Sequence, residues 1–274
     1  MTEQTHEGVG GPVRETTGNA QLVVVGTGFR AIGDLTVEAR ACLEQADKVL
    51  CLIGDPLVTR HIEKLNASVE TLDVHYAVGK PRSASYEDMV EHILSELRRD
   101  LFVCVALYGH PGVFAYTGHE AIRRAREEGI AARMLPACSA EDWLFADLGL
   151  DPGERGCQSF EATDFLIRHR VFDPTGLLIL WQVGVIGMID RDPAYDARPG
   201  VRSLTDALVA SYGPDHPVTV YEASPYVTAE PRTTTVPLAG LPDTPLSAAS
   251  TLVVPPLPPR PVDRELLARL TARR

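Results

Sequence analysis

The sequence predicts an α/β fold made of two α/β domains, and three observations carry that prediction. Short apolar runs rich in β-branched residues alternate with amphipathic helical segments, several runs end in glycine-bearing turns, and capping residues stand where helical segments begin. This order implies a mainly parallel sheet covered on both faces. A chain of 274 residues, 45% hydrophobic, supplies core for one large or two modest domains.

Gln21 to Gly26, QLVVVG, is a β-branched run ending in glycine, the pattern of a strand buried on both faces. The helix after it is marked by Leu35, Ala39, Cys42, Leu43 and Ala46 on one stripe, with Glu38 in its first turn. Lys48 to Ile53 reads as a second strand and Glu70 to Val74 as a short run. Ser85 and Asp88 form a capping box that sets the next helix start near Ser85, with Tyr86, Met89, Val90, Ile93, Leu94 and Leu97 as its apolar face. Leu101 to Leu107 is a buried strand, and the helix from about His119 to Glu128 stops at Gly129.

The second half repeats the pattern less regularly. Ser139 and Asp142 cap SAEDWLFADL, which ends at Gly149, and Ser203 to Tyr212 is a helix ending at Gly213. Leu177 to Val183, Val218 to Ala223 and Ser250 to Val254 read as strands. Proline-rich PPLPPRP closes this half ahead of an amphipathic RELLARL. The halves are expected to meet near Pro136 to Ser139, giving domains over 21–137 and 138–260, a loose polar tail over 1–20 and a short C-terminal helix or tail over 261–274. A cleft between the halves is the default ligand site.

Several function classes are set aside by composition. A formal net charge of -11 speaks against a sequence-independent attraction to phosphate backbones or anionic lipid, so no nucleic-acid or membrane partner is expected. The longest apolar stretch, Leu177 to Ile189, is interrupted by Gln182 and falls short of the roughly 20 residues of a spanning helix. The first 20 residues lack the apolar core of a signal peptide, and a cytoplasmic protein is expected. The 5 cysteines form no CxxC pair and no metal-like spacing, so they read as plain buried thiols and no metal is expected.

Three stretches carry candidate chemistry. Gly26-Thr27-Gly28-Phe29-Arg30-Ala31 formally fits GxGxxA, but Glu44 and Asp47 fall before the second strand and not at its end, where a ribose would need an acid. The bland reading is a glycine-rich strand-to-helix turn. Tyr108-Gly109-His110-Pro111-Gly112 is a stiff corner at a strand's carboxyl end, where open α/β sheets bind ligands; His110 there is read as held by backbone hydrogen bonds in preference to acting as a base. In HYAVGKPRSASY, Arg82 offers a permanent cation near the phenols of Tyr76 and Tyr86, which favours a phenolate. On spacing alone catalytic and structural readings of these three residues stand level.

GTGFRAIGDLTVEARACLEQADKVLCL resembles the opening of the tetrapyrrole-methylase superfamily. The segments LYGHPGVFAYTGHEAIRRAREEG, MLPACSAEDWLFADLGLDPGERGCQSFEATDFLIRHR and LILWQVGVIG resemble one branch of it, the borosin, or omphalotin-type, peptide backbone N-methyltransferases, over roughly residues 20 to 260. Gly109-His110-Pro111 in place of Gly-Asp-Pro, and Gly28-Phe29-Arg30 in place of Gly-Pro-Gly, favour that branch.

The resemblance implies a class III methyltransferase fold with S-adenosyl-L-methionine bound between two α/β domains. It implies Tyr76, Arg82, Tyr86 and Tyr108 as catalytic residues, and Gly26, Gly28, Tyr108, Val113, Phe114, Ser139, Ala140, Gln182, Ser250 and Thr251 as cofactor contacts. Fused borosins continue into a clasp and a core peptide, whereas this sequence closes on Thr271-Ala272-Arg273-Arg274, so the expectation is a separate precursor peptide methylated in trans. A homodimer embracing the precursor is implied too, with a heterotetramer of enzyme and precursor left open. Two rivals remain open: a tetrapyrrole C-methyltransferase and a catalytically idle peptide-binding homologue.

Overall fold

The computed structural model describes residues 18–77, 79–188 and 195–272. The expected polar tail lies outside the described residues up to residue 17, as do Ile189, Arg273 and Arg274. The described residues fall into two compact units, those within 1–77 and 83–139 and those within 78–82 and 140–274.

The first unit is a five-stranded sheet of β1 (Gln21–Gly26), β2 (Lys48–Leu52), β3 (Val69–Thr71), β4 (Phe102–Leu107) and β5 (Ala131–Leu135), in the order β3-β2-β4-β1-β5. Every pairing in it is parallel. Strand alternation sends Leu22 and Val24 to one face and Val23 and Val25 to the other, and both faces are covered. On the first face lie α3 (Arg82–Leu97) and α4 (Tyr116–Glu127), through Met89, Ile93, Leu97, Ala121 and Ala125; on the second lie α1 (Val37–Gln45) and α2 (Pro56–Leu65), through Ala39, Leu43, Val58 and Ile62.

Caps explain where these helices begin. The Thr36 side chain accepts from the Ala39 amide ahead of α1, and Asp55 accepts from the Leu57 and Val58 amides ahead of α2, with Pro56 at the first helical position. α4 ends at Glu127; just beyond it Gly129 has φ 80, and the Ile130 amide returns to the Ala125 carbonyl.

One expectation for this unit is corrected. Ser85 does not cap α3: the helix starts at Arg82, directly after Pro81, and Ser85 faces inward, 1% exposed, with its hydroxyl unpartnered. The capping pattern was a coincidence of spacing inside the first turns of a longer helix.

The second unit holds α5 (Ala140–Leu148), the short α6 (Pro152–Arg155), β6 (Cys157–Glu161), α7 (Ala162–Ile167), β7 (Leu177–Trp181), α8 (Arg198–Tyr212), β8 (Pro217–Glu222), β9 (Arg232–Pro237), β10 (Thr251–Val254) and the exposed α9 (Arg264–Thr271). Its sheet order is β6-β7-β10-β8-β9. Only β6 and β7 run parallel; the other pairings are antiparallel, so the expectation of a mainly parallel sheet holds for the first unit and fails here. β9 sits at the edge with its threonines exposed, so it has no apolar face from which sequence could read it. One face of this sheet packs on Phe165, Leu204 and Leu208, the other on Leu144. β7 stops at Trp181, short of the expected Val183, because Gln182 turns the chain with φ 60.

Candidate functional site

Each strand of a parallel sheet delivers its carboxyl end to the same edge, and the first unit places its chemistry there. Gly26 closes β1, Tyr108 follows β4, Ser139 follows β5 by a few residues, and Tyr76 comes after the turn that continues β3.

The first two loops are stitched together. The Gly28 and Gly109 backbones exchange hydrogen bonds, at 3.3 Å from the Gly28 amide to the Gly109 carbonyl and 3.1 Å in the other direction. A side chain at Gly26 would stand 2.2 Å from the Gly109 carbonyl oxygen, so glycine is what allows this approach.

Asp34, which belongs to no sequence motif, organises the first loop. Its Oδ2 accepts from the amides of Phe29 at 3.2 Å and Arg30 at 2.8 Å. These are the amides that a pyrophosphate would need in a dinucleotide-binding loop, and here a carboxylate occupies them. The GxGxxA match is therefore a strand-to-helix turn without the dinucleotide function.

At the corner after β4, His110 Nδ1 accepts from the Gly112 amide at 3.0 Å, and His119 Nε2 lies 2.9 Å from the Gly112 carbonyl. This is the backbone-holding role read for His110. Phe114 is held at φ 50, a costly conformation for a bulky residue. Val113 and Phe114 are both exposed, at 42% and 59%.

Among the candidate phenols, Tyr76 and Tyr86 are brought together. Their ring centroids lie 6.3 Å apart at 78°, edge to face, and both rings rest on the core that α3 covers. Arg82 opens α3 four residues before Tyr86, the spacing that puts both on one helical face. Tyr108 packs on Phe29, centroids 5.5 Å apart. Tyr108 keeps 47% of its surface exposed, yet desolvation of its phenol pushes its pKa above the ordinary value of a tyrosine. Tyr116, also unmarked by sequence, lies 6.1 Å from Tyr86.

In the second unit, Gln182 takes the left-handed conformation just after β7, and buried Ser250 and Thr251 stand at the start of β10. Glu222 organises that segment: its Oε1 accepts from Ser247 at 2.6 Å, Ser250 at 2.5 Å and Arg232 at 2.5 Å. Burial works against its charge, but these three donors outweigh it and hold the carboxyl below its usual pKa. Gly184 fits under the same segment, since a side chain there would meet the Ser247 carbonyl at 1.9 Å. A cavity of about 480 Å³ lies beside the proline-rich segment, lined by Gly149, Asp151, Arg155 and Pro258 among others, and none of the candidate residues lines it.

Val113 and Phe114 thus present exposed apolar side chains beside the Gly109 corner of the first unit, a surface that suits an adenine or a methylene chain.

Comparison with known proteins bears on the family and the fold. Residues 21–237 match the tetrapyrrole (corrin/porphyrin) methylases. The methyltransferase and type III borosin cyclic peptide precursor of Anomoporia bombycina is 45% identical over 205 residues, 74% of this chain and 24% of that protein. The methyltransferase and dendrothelin A precursor of Dendrothele bispora is 38% identical, and that for omphalotin A of Omphalotus olearius 37% identical, each over 253 residues, 91% of this chain and 61% of the relative. The chain thus spans from about a quarter to about three fifths of these relatives' length.

A solved uroporphyrin-III C-methyltransferase from Thermus thermophilus matches with a TM-score of 0.61 at 20% identity, covering 86% of this chain and 92% of that one, which shows a shared fold. A parallel five-stranded unit followed by a mixed one, the stitched glycine loops and the match across most of the sequence lead to one conclusion: the chain belongs to the tetrapyrrole (corrin/porphyrin) methylase family, and within it is similar to the borosin methyltransferases.

Proposed function

We propose that this chain is an S-adenosyl-L-methionine-dependent methyltransferase that N-methylates backbone amides of a precursor peptide met as a separate molecule. The observation that carries the proposal is the Tyr76–Tyr86 ring pair, with Arg82 opening the helix that bears Tyr86. Similarity to methyltransferase–precursor proteins of cyclic peptides supports the choice of substrate class.

An amide nitrogen is a poor nucleophile because its lone pair is delocalised into the carbonyl. In the proposed reaction Tyr76 acts as a phenolate whose negative charge the permanent cation of Arg82 offsets; it takes the amide proton as general base and becomes a neutral phenol. Tyr86 and Tyr108 donate hydrogen bonds to the carbonyl oxygen as it gains charge. The raised pKa of Tyr108 suits it to donate and unsuits it to act as base. When bound, the sulfonium cofactor supplies an electrophilic methyl group.

Gly26, Gly28, Tyr108, Val113 and Phe114 are the cofactor contacts proposed for the first unit, with Ser139 after β5; Ala140, Gln182, Ser250 and Thr251 are those proposed for the second. Phe114 and Gln182 are two of the five described non-glycine residues with positive φ, and strain of this kind clusters at ligand sites.

Tyr76→Phe and Arg82→Lys test these roles. Both variants should bind the cofactor in calorimetry with wild-type affinity and transfer no methyl to peptide. Wild-type turnover in both variants rejects the assignment.

A further inference from the structure

Tyr86 has a second aromatic neighbour that the mechanism above does not use. Tyr116 opens α4, with its ring centroid 6.1 Å from that of Tyr86 and the planes tilted by 33°. The phenol donates to Glu87 Oε1 at 2.5 Å, the residue next to Tyr86 on α3. The second oxygen of that carboxylate accepts from Arg124 Nη2 at 2.5 Å, and Arg124 Nε donates to Glu120 Oε1 at 2.6 Å. Tyr116, Glu120 and Arg124 recur every four residues, so one face of α4 holds the whole set.

Tyr116 is 47% exposed, and a tyrosine so placed ordinarily has freedom about its side-chain bonds. Here the ring rests on Tyr86 while the hydroxyl is tied to a carboxylate that Arg124 pins from the other side. Hydrogen bonds from Tyr116 and Arg124 keep Glu87 below its usual pKa, and the bond to Glu87 raises that of Tyr116, so donor and acceptor keep their roles across the neutral range.

We propose that Tyr116 is a positioning residue: latched to Glu87 and Arg124, it fixes the ring of Tyr86 so that the Tyr86 hydroxyl is aimed at the substrate carbonyl. The proposal rests on the peptide N-methyltransferase reading, and its test separates the two.

Full-length wild type and the variants Tyr116→Phe, Tyr116→Ala and Glu87→Gln are compared with peptide and S-adenosyl-L-methionine. Misplacing a catalytic group by about 1 Å costs up to about a hundredfold. Tyr116→Phe and Glu87→Gln should each lower kcat by about tenfold, and Tyr116→Ala by about a hundredfold, with the KM for cofactor within about twofold of wild type. Tyr116→Phe combined with Glu87→Gln should be no slower than either alone, because both cut one latch. Glu127→Gln, on an exposed pair with Arg123, serves as the control and should match wild type.

A kcat within twofold of wild type for Tyr116→Ala overturns the proposal. So does a loss of kcat that tracks the folded fraction alone. A second readout needs no turnover: in 3-fluorotyrosine-labelled protein the ¹⁹F signal of Tyr86 should shift and sharpen in Tyr116→Phe. An unchanged signal overturns the latch, whereas a wild type that modifies no peptide while showing the shift overturns only the functional reading.

Discussion

Gly26 is closely enclosed in the first loop, with the Gly109 carbonyl oxygen, Ala137 Cβ and Pro111 Cδ at 2.2, 2.5 and 2.7 Å from where a side chain would begin. Two of these neighbours are fixed by backbone or by a proline ring, so they cannot swing away. Gly26→Ala should destabilise the protein by about 1–3 kcal/mol and weaken cofactor binding, read from the denaturation midpoint and from calorimetry. The cysteines are set apart by burial in the same way. Desolvation pushes the Cys51 thiol up to about 12 and Cys104 higher still, while Cys138 is exposed. A thiol reagent at neutral pH should modify Cys138 first and leave Cys51 and Cys104 until the chain unfolds; prompt native-state labelling of Cys51 would contradict this. At this scale the sequence showed residue types but not encounters. Tyr76 and Tyr86 were visible as candidates, yet only the fold shows that their rings meet. Asp34 and Tyr116 went unmarked because a lone aspartate in a loop and a surface tyrosine opening a helix belong to no pattern.

The elements differ in how openly their residues announce them. β1 and the apolar face of α3 were plain because burial imposes a period on them. α2 was passed over although Asp55-Pro56 is a helix-start signal, and β9 because its threonines face solvent. The cap gives a direct check: Asp55→Ala strips the acceptor from the Leu57 and Val58 amides and should cost about 1 kcal/mol in equilibrium unfolding. A second check concerns the segment that leads into β10. The Glu222 carboxyl has a lowered folded pKa, so its contribution is fully present above the unfolded value of about 4.3 and is lost as pH falls through the lowered folded value. Wild type should therefore lose stability in that acid window, and Glu222→Gln should flatten the pH dependence there. An acid limb unchanged in Glu222→Gln would show that Glu222 does not tie Ser247 and Ser250.

For the whole molecule, alternation of strand and helix was enough to give an α/β class, because a parallel strand pair demands a crossover and a helix fills it. The same rule misjudged the second unit, where β8, β9 and β10 pair antiparallel and need no such helix. No helix among the described residues is long and apolar enough to cross a membrane. A homodimer is the expectation that the resemblance carries, so sedimentation should give twice the chain mass of 29.8 kDa, and a monomer at micromolar concentration would count against it.

Methyl transfer from a sulfonium to a peptide backbone nitrogen is the reaction proposed for this chain. The most direct test incubates the purified chain with a candidate precursor peptide and methyl-¹³C-labelled S-adenosyl-L-methionine, then locates the label by tandem mass spectrometry. Labelled methyl groups on backbone amides are expected; an unmodified peptide, or label confined to side chains, rules the proposed reaction out.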